Sequence, residues 1–327
     1  RGLGDVYKRQ VCIRSSSMTL EEQREQLFVD YYEEWMTKYK KDVVREVTYI
    51  KYKTTLRWLK KLAPDVTMRQ LTKSEYQNIL NRYALEHEKT TVQDFHHMLR
   101  ASLIDAYDER ILERDISHRA VIKGKLSNIH KRTKYLNKKE LEKLLEVLDT
   151  GNKINWDWFI MLIAKTGLRF EEALALTPGD FDFNNLKIHI TKAFDYKITN
   201  EFCKTKNESS VRSILLDYRT ALNFEKLTKG MDPDERIFNF GPRIYSSTAN
   251  NFLHRKCKEA GIREISVHGL RHTHASILMS EGVTLPSISK RLGHSSMETT
   301  QRVYLHLIQE LQVKDDGKIM AAMMELM

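Results

Sequence analysis

Residues 156–166, WDWFIMLIAKT, form an apolar run interrupted only by Asp157, Lys165 and Thr166, and Gly167 follows at once. A helix of this kind has no face to show to water, so it predicts the buried centre of a globular domain. It falls well short of the eighteen or so residues that would span a bilayer, and no other run in the chain approaches that length. Gly167 predicts the stop, because glycine adopts the left-handed backbone that closes a helix without a Cβ penalty. The rest of the chain has to wall this helix in.

What precedes it is amphipathic. From Thr19, with Glu21 and Glu22 as first-turn acids, Leu27, Phe28, Tyr31, Tyr32, Trp35 and Tyr39 recur at steps of three and four and predict one helix. A second starts near Val44, carries Tyr49, Tyr52, Leu56, Leu59 and Leu62 on its apolar side and stops at Pro64. Thr72 with Glu75 predicts a capping box opening a third. A fourth runs from about Thr91 through Val92, Phe95, Met98, Leu99 and Leu103. At 327 residues the chain has length for two domains, and these helices predict the first, over 18–118. Residues 1–17, RGLGDVYKRQVCIRSSS, have no apolar core of signal-peptide length. They read as a sequencing artefact or a disordered basic leader ahead of a start at Met18.

Basic residues on these helices are mixed with acids, which is the pattern of a solvated face. Residues 119–135 differ: Arg119, Lys123, Lys125, Lys131, Arg132 and Lys134 occur there with no Asp or Glu. This stretch reads as an interdomain linker that either tracks phosphates or touches nothing. The balance of 54 Lys+Arg over 44 Asp+Glu, a formal +10, favours a polyanionic partner. Cys12, Cys203 and Cys257 are far apart and odd in number, which argues against a disulfide framework or a thiolate zinc site and points to a reducing cytoplasm.

The second domain, 136–314, opens with Asn137 and Glu140 as a cap and Leu141, Leu144, Leu145 and Leu148 as an apolar face. After Pro178-Gly179 the period changes to two. Phe181 and Phe183, then Leu186, Ile188 and Ile190, flank Asn184-Asn185, a predicted hairpin turn in which asparagine would tolerate positive φ. A third strand is predicted within 210–216, after a polar loop, KTKNES, that carries Lys206. Helices resume near Asp217 and over 247–260, the latter closed by Gly261. The fold class is therefore α+β: mainly α with a small antiparallel sheet. The methionine-rich end, 315–327, is expected to pack on its own domain or to dock on a neighbouring subunit.

Chemistry gathers between residues 265 and 307. His268 and Arg271, three apart, share one face of a predicted helix. His294 follows a stop glycine, Gly293, and Tyr304 lies ten residues on. Imidazoles, a guanidinium and a phenol suit phosphate chemistry, with donors for an oxyanion and an oxygen nucleophile. Arg169, just past Gly167, is pinned between two buried helices and reads either as a cap or ion pair to Glu171 or Glu172, or as part of this site.

Four stretches occur in order: TGLRFEEALAL (166–176), TKNESSVRSI (205–214), HGLRHTHASIL (268–278) and LGHSSMETTQRVYLHL (292–307). Together they resemble the tyrosine recombinases, and among them the integrases of phages and integrative elements. The resemblance covers Met18 to the C-terminus. It implies a helical core-DNA-binding domain before a catalytic domain, and a site-specific recombinase that cuts and rejoins DNA through a 3′-phosphotyrosyl intermediate. Carried over by position, it implies catalytic roles for Arg169, Lys206, His268, Arg271, His294 and the nucleophile Tyr304, with Glu172 orienting Arg169 or His268. It implies neither metal nor cofactor. Implied partners are double-stranded DNA at core recombination sites, a homotetramer on synapsed DNA, and accessory DNA-bending or directionality proteins, in the bacterial cytoplasm at the nucleoid and without a membrane. Many such integrases have a further N-terminal domain for arm-type sites, and nothing before Met18 has its pattern.

Physical chemistry supports the same roles. Two guanidiniums can hold the two non-bridging oxygens without a metal. A phenol with a pKa near 10 needs an acceptor such as His268, and a 5′-alkoxide needs a donor such as Lys206. No G-x-x-x-x-G-K-[ST] loop is present, in keeping with a protein–DNA ester that conserves the bond energy. Three other readings compete: a zinc hydrolase built on His268, His272 and His274, a DNA-binding regulator or decayed recombinase that leaves Tyr304 unused, and a type IB topoisomerase, which would use similar chemistry to relax DNA. Within the family, a chromosomal-dimer resolvase is the alternative.

Overall fold

The computed structural model describes residues 18–125, 135–298, 301 and 323–324. The chain divides into two compact units, residues up to 130 and from 131 onward.

Among its described residues the first unit contains five helices: α1 (Leu20–Glu25), α2 (Phe28–Tyr39), α3 (Glu46–Leu62), α4 (Lys73–Ala84) and α5 (Lys89–Asp108). Thr19 and Glu22 form a reciprocal capping box at the start of α1. The helix expected to continue from there is broken in two. Gln26 and Leu27 are extended, Leu27 makes an antiparallel bridge to Thr67, and Phe28 N–H donates to the Val66 carbonyl at 2.8 Å. A tertiary strand-like contact thus overrides a local periodicity that runs straight through it. Beyond the break, Phe28, Tyr31, Tyr32 and Trp35 are buried as the spacing predicts, while Tyr39 is exposed. Polar ends of several buried rings are matched: Trp35 Nε1 donates to Asp105 at 2.6 Å, and Tyr76 Oη meets His96 Nδ1 at 2.8 Å. Thr72 caps α4 through the Glu75 N–H.

Residues 120–125 lie along this unit. The Gln77 amide brackets the Val121 backbone on both its donor and its acceptor, and Lys125 N–H donates to the His87 carbonyl. Gly124 fits where a Cβ would fall 2.1 Å from the Lys89 nitrogen. Arg119, Lys123 and Lys125 are exposed, whereas Lys131, Arg132 and Lys134 fall outside the described residues.

The second unit is built around α7 (Trp156–Thr166), of which all but Trp156 and Lys165 is buried. It packs against α11 (Val267–Ser280) and α10 (Ser246–Glu259). Asn137 and Glu140 form the expected capping box on α6 (Lys138–Glu146). Gly167 stops α7 at φ 70°, and α8 (Phe170–Leu174) starts behind Arg169. The strands are β1 (Phe181–Asp182), β2 (Lys187–Ile190), β3 (Lys192–Asp195), β4 (Glu201–Lys204) and β5 (Arg212–Leu215). The predicted three-stranded antiparallel sheet is present in the order β1-β2-β5, with Ile188 opposite both Phe181 and Ile214. Its first turn differs in detail. Asp182 accepts from the Asn185 N–H, and the positive φ falls on Leu186 at 53°, not on an asparagine. A second hairpin, β3–β4, was not anticipated. α9 (Tyr218–Thr228) and α12 (Leu285–Leu292) complete the order. Among the described residues no helix is long and apolar enough to cross a membrane.

Candidate active site

The C-terminal ends of two helices meet at the predicted site. α7 ends at Gly167 and α12 ends at Gly293, both left-handed. Each stop turns free carbonyls toward the same place, and two arginines take them up. Arg271, on α11 and 3% exposed, donates from Nη1 to the Gly167 carbonyl and from Nη2 to the Leu292 carbonyl, each at 2.7 Å. Arg169 reaches from the start of α8 and donates through Nη2 to the Gly293 carbonyl at 2.8 Å and through Nη1 to Ser210 Oγ at 3.2 Å. The two guanidiniums anticipated from positions about a hundred residues apart therefore grip neighbouring carbonyls at the end of one helix, α12.

Glu172 sets the charge balance. Its carboxylate, 3% exposed, receives Arg169 Nη1 at 2.6 Å and the Arg169 backbone N–H at 3.0 Å. Arg212 approaches from the other side, Nη1 to Oε1 at 3.2 Å and Nη2 to Oε2 at 2.9 Å. Burial by itself would raise the Glu172 carboxyl, but the hydrogen bonds and charges of Arg212, then of Arg169, outweigh it and hold the group below the ordinary carboxylate range. Of the two readings left open for Arg169, ion pair or site residue, the first is realised with Glu172, and it leaves the side chain 24% exposed.

His294 follows the Gly293 stop and is half-buried. Burial, with the charges of Arg271 and Arg169 next, lowers its pKa to about 4, so at neutral pH it is an uncharged imidazole. His268 is exposed on α11, one turn before His272, and their rings meet edge to face at 4.8 Å. His274, in contrast, is locked into the scaffold: Nδ1 faces the Ala164 carbonyl at 3.1 Å and Nε2 accepts from Arg291 Nε at 2.9 Å. With both ring nitrogens engaged it offers no metal-ligand position, which removes one of the three histidines on which a zinc site would rest.

Lys206 is exposed, two residues past β4 in the loop that leads to β5. That loop is anchored beside the arginines, since Ser210 Oγ accepts from Arg169 and Ser210 N–H closes a turn on the Asn207 carbonyl. Tyr304 lies outside the described residues. Arg212, Arg291 and Ser210 were not singled out from sequence. Arg212 carried one usable signal: it stands two residues before Ile214, so the strand period turns both to the same side, and an inward arginine demands a buried acid.

Residues 134–310 match the profile of the phage integrase family. Transposase A from transposon Tn554 of Staphylococcus aureus is 28% identical over 185 residues, 54% of this chain and 50% of that protein. The integrase of Staphylococcus phage L54a is 26% identical over 212 residues, 57% of this chain and 60% of that protein. The chain thus spans about half the length of the curated relatives it matches. Among solved structures, the integrase of transposon Tn1549 in complex with transposon right end DNA superposes with a TM-score of 0.71 over 85% of this chain and 95% of that one, at 17% identity.

Proposed function

The chain belongs to the phage integrase family, and from that premise we propose that it is a site-specific DNA recombinase that cuts and rejoins DNA through a tyrosine–phosphate ester. The observation that carries this reading is the convergence of Arg169, Arg271 and a neutral His294 on the carbonyl-rich end of α12.

A phosphodiester under attack gathers negative charge on its two non-bridging oxygens. Arg169 and Arg271 supply positive charge to them, and His294 hydrogen-bonds one of them without adding a charge of its own. Tyr304 Oη attacks phosphorus and the bond to the 5′-oxygen breaks. The phenol proton passes to His268, and the 5′-oxygen leaves protonated by Lys206. The resulting 3′-phosphotyrosyl ester is then attacked by the 5′-hydroxyl of a partner strand, which restores a phosphodiester and frees Tyr304. Each exchange replaces one phosphate ester with another and needs no energy cofactor.

Duplex DNA is the proposed partner. The integrase of transposon Tn1549 has been captured with transposon end DNA, and this chain has a formal charge of +10. Exchange between two duplexes calls for four active tyrosines, hence a tetramer on synapsed sites, and the near-isoenergetic chemistry leaves direction to accessory DNA-bending or directionality proteins. Cytoplasmic action at the nucleoid follows from that substrate.

The test uses nicked duplexes tiled across the flanks of the protein's own gene, incubated with purified protein and resolved under denaturing conditions. A covalent protein–DNA adduct is expected on a duplex carrying a core site, and Tyr304→Phe should abolish it while binding persists. An adduct that survives in Tyr304→Phe removes Tyr304 as nucleophile. DNA binding with no adduct on any tile favours a regulator.

A further inference from the structure

We propose that Arg212 is a positioning residue that sets the guanidinium of Arg169 and fastens the loop of Lys206 to the end of α12. This rests on the recombinase reading above.

Arg212 cannot itself meet a DNA phosphate. Its side chain is 5% exposed and all three guanidinium nitrogens are engaged. Nε donates to the Arg291 carbonyl at 2.7 Å. Nη1 donates to the Ser210 carbonyl at 2.8 Å and to Glu172 Oε1 at 3.2 Å. Nη2 donates to Glu172 Oε2 at 2.9 Å. A buried arginine with every guanidinium nitrogen engaged is a structural fork, and the identity of what it joins gives it a role.

It joins the same three places as Arg169. Both arginines bind Glu172. Arg169 takes the Ser210 hydroxyl and Arg212 the Ser210 carbonyl. Arg169 takes the Gly293 carbonyl and Arg212 the Arg291 carbonyl, two residues apart at the end of α12. Glu172 is the shared anion between them. If Arg212 is removed, the Glu172 carboxylate loses the fork that fixes its plane and can rotate, so it no longer holds the Arg169 guanidinium in the position facing the substrate. The turn at Ser210, which follows Lys206 by four residues, loses its second tie to α12 at the same time. Gly293 is part of the arrangement, since a Cβ there would fall 3.0 Å from Arg212 Nη1 and from the Ser209 carbonyl.

A lysine cannot replace this fork, because it carries one nitrogen where the site uses three in a plane. The expected signature of Arg212→Lys is therefore a loss that charge conservation does not rescue. Side-chain ¹⁵N spectra of the full chain without DNA read the position of Arg169 directly, its signals being identified by their loss in Arg169→Ala. In the wild type its Nη groups should be resolved and slowly rotating. In Arg212→Lys they should average, with the fold retained by circular dichroism. Glu172→Gln, which keeps the shape of the anion and removes its charge, should release Arg169 in the same way and gives an independent route where Arg212→Lys melts early.

On an adduct-forming duplex, Arg212→Lys should slow adduct formation at least about tenfold, with DNA affinity within about twofold. If the scissile phosphate is replaced by a neutral methylphosphonate, the demand for a well-placed Arg169 falls, and the deficit should shrink to about threefold. A general folding defect would slow both substrates alike. Unchanged Arg169 signals in both variants, or an equal deficit on both duplexes, would overturn the proposal. Absence of any adduct with the wild type would instead count against the recombinase reading, and the spectra would still decide the role of Arg212.

Discussion

Arg291 donates from Nε to Nε2 of His274 at 2.9 Å, which fixes that ring as a neutral acceptor inside the second unit. Its Nδ1 proton is directed to the Ala164 carbonyl. Burial, then the Arg291 charge, lowers the His274 pKa from 6.5 to about 3. The native state therefore refuses a proton that the unfolded chain accepts below about pH 6.5, and the sign follows: stability is full above that pH and is lost as pH falls toward 3. Between pH 7.5 and 5.5 this one histidine should remove roughly 1 kcal/mol, and His96, also lowered to about 4 with burial as the leading cause, acts in the same direction. Denaturant titrations at the two pH values should show the loss. His274→Gln, which can still donate and accept but does not titrate, should flatten the slope.

Two glycines test how much of the site is backbone geometry. Gly293 and Gly261 have nearly the same φ, 68° and 64°. A Cβ at Gly261 would meet nothing within 4 Å, whereas at Gly293 it would press on Ser209, Ser210 and Arg212. Gly261→Ala should cost only the left-handed penalty, about 1 kcal/mol. Gly293→Ala should cost about 1–3 kcal/mol more and, by moving the carbonyl that Arg169 holds, should slow adduct formation as well. Equal losses of melting temperature in the two variants would contradict this account.

How much was legible beforehand differs by residue for physical reasons. α7 was readable because apolarity on every side leaves a helix one place to go, and Gly167 marked its end. Arg169 and Arg271 were placed by motif, and the structure brings them to one helix end. The β3–β4 hairpin was missed because β4, EFCK, is exposed throughout, so no alternation of polar and apolar residues marks it. The break at Gln26-Leu27 was missed because its cause, the bridge to Thr67, lies forty residues away. Arg212 escaped because a charged residue in a short strand ordinarily faces water, and only its acid partner across the fold reveals the opposite.

Arg271→Lys isolates the second fork. Arg271 ties the Gly167 carbonyl of α7 to the Leu292 carbonyl of α12, and a lysine can follow only one of them well. The carbonyl left unmatched should cost about 1–3 kcal/mol in denaturant unfolding. Adduct formation should fall by about 10² or more if the same guanidinium meets the scissile phosphate. Near wild-type adduct formation with the stability loss intact would assign Arg271 to structure alone.

The basic segment 119–135 is tested by salt rather than by activity. Lys123 and Lys125 are exposed on a backbone held to the first unit by Gln77 and His87, so their charges are displayed from a fixed base. A phosphate contact releases counterions, and each one contributes about 0.9 to the slope of log K against log salt. Replacing Lys123 and Lys125 together by alanine should therefore lower that slope by up to about 2, with affinity reduced evenly across duplexes of different sequence because phosphates carry no sequence information. Lys131, Arg132 and Lys134 form a second set for the same measurement. A slope unchanged by both triple and double replacements would make the segment a solvated linker, while a loss confined to one DNA sequence would mean that these side chains read bases.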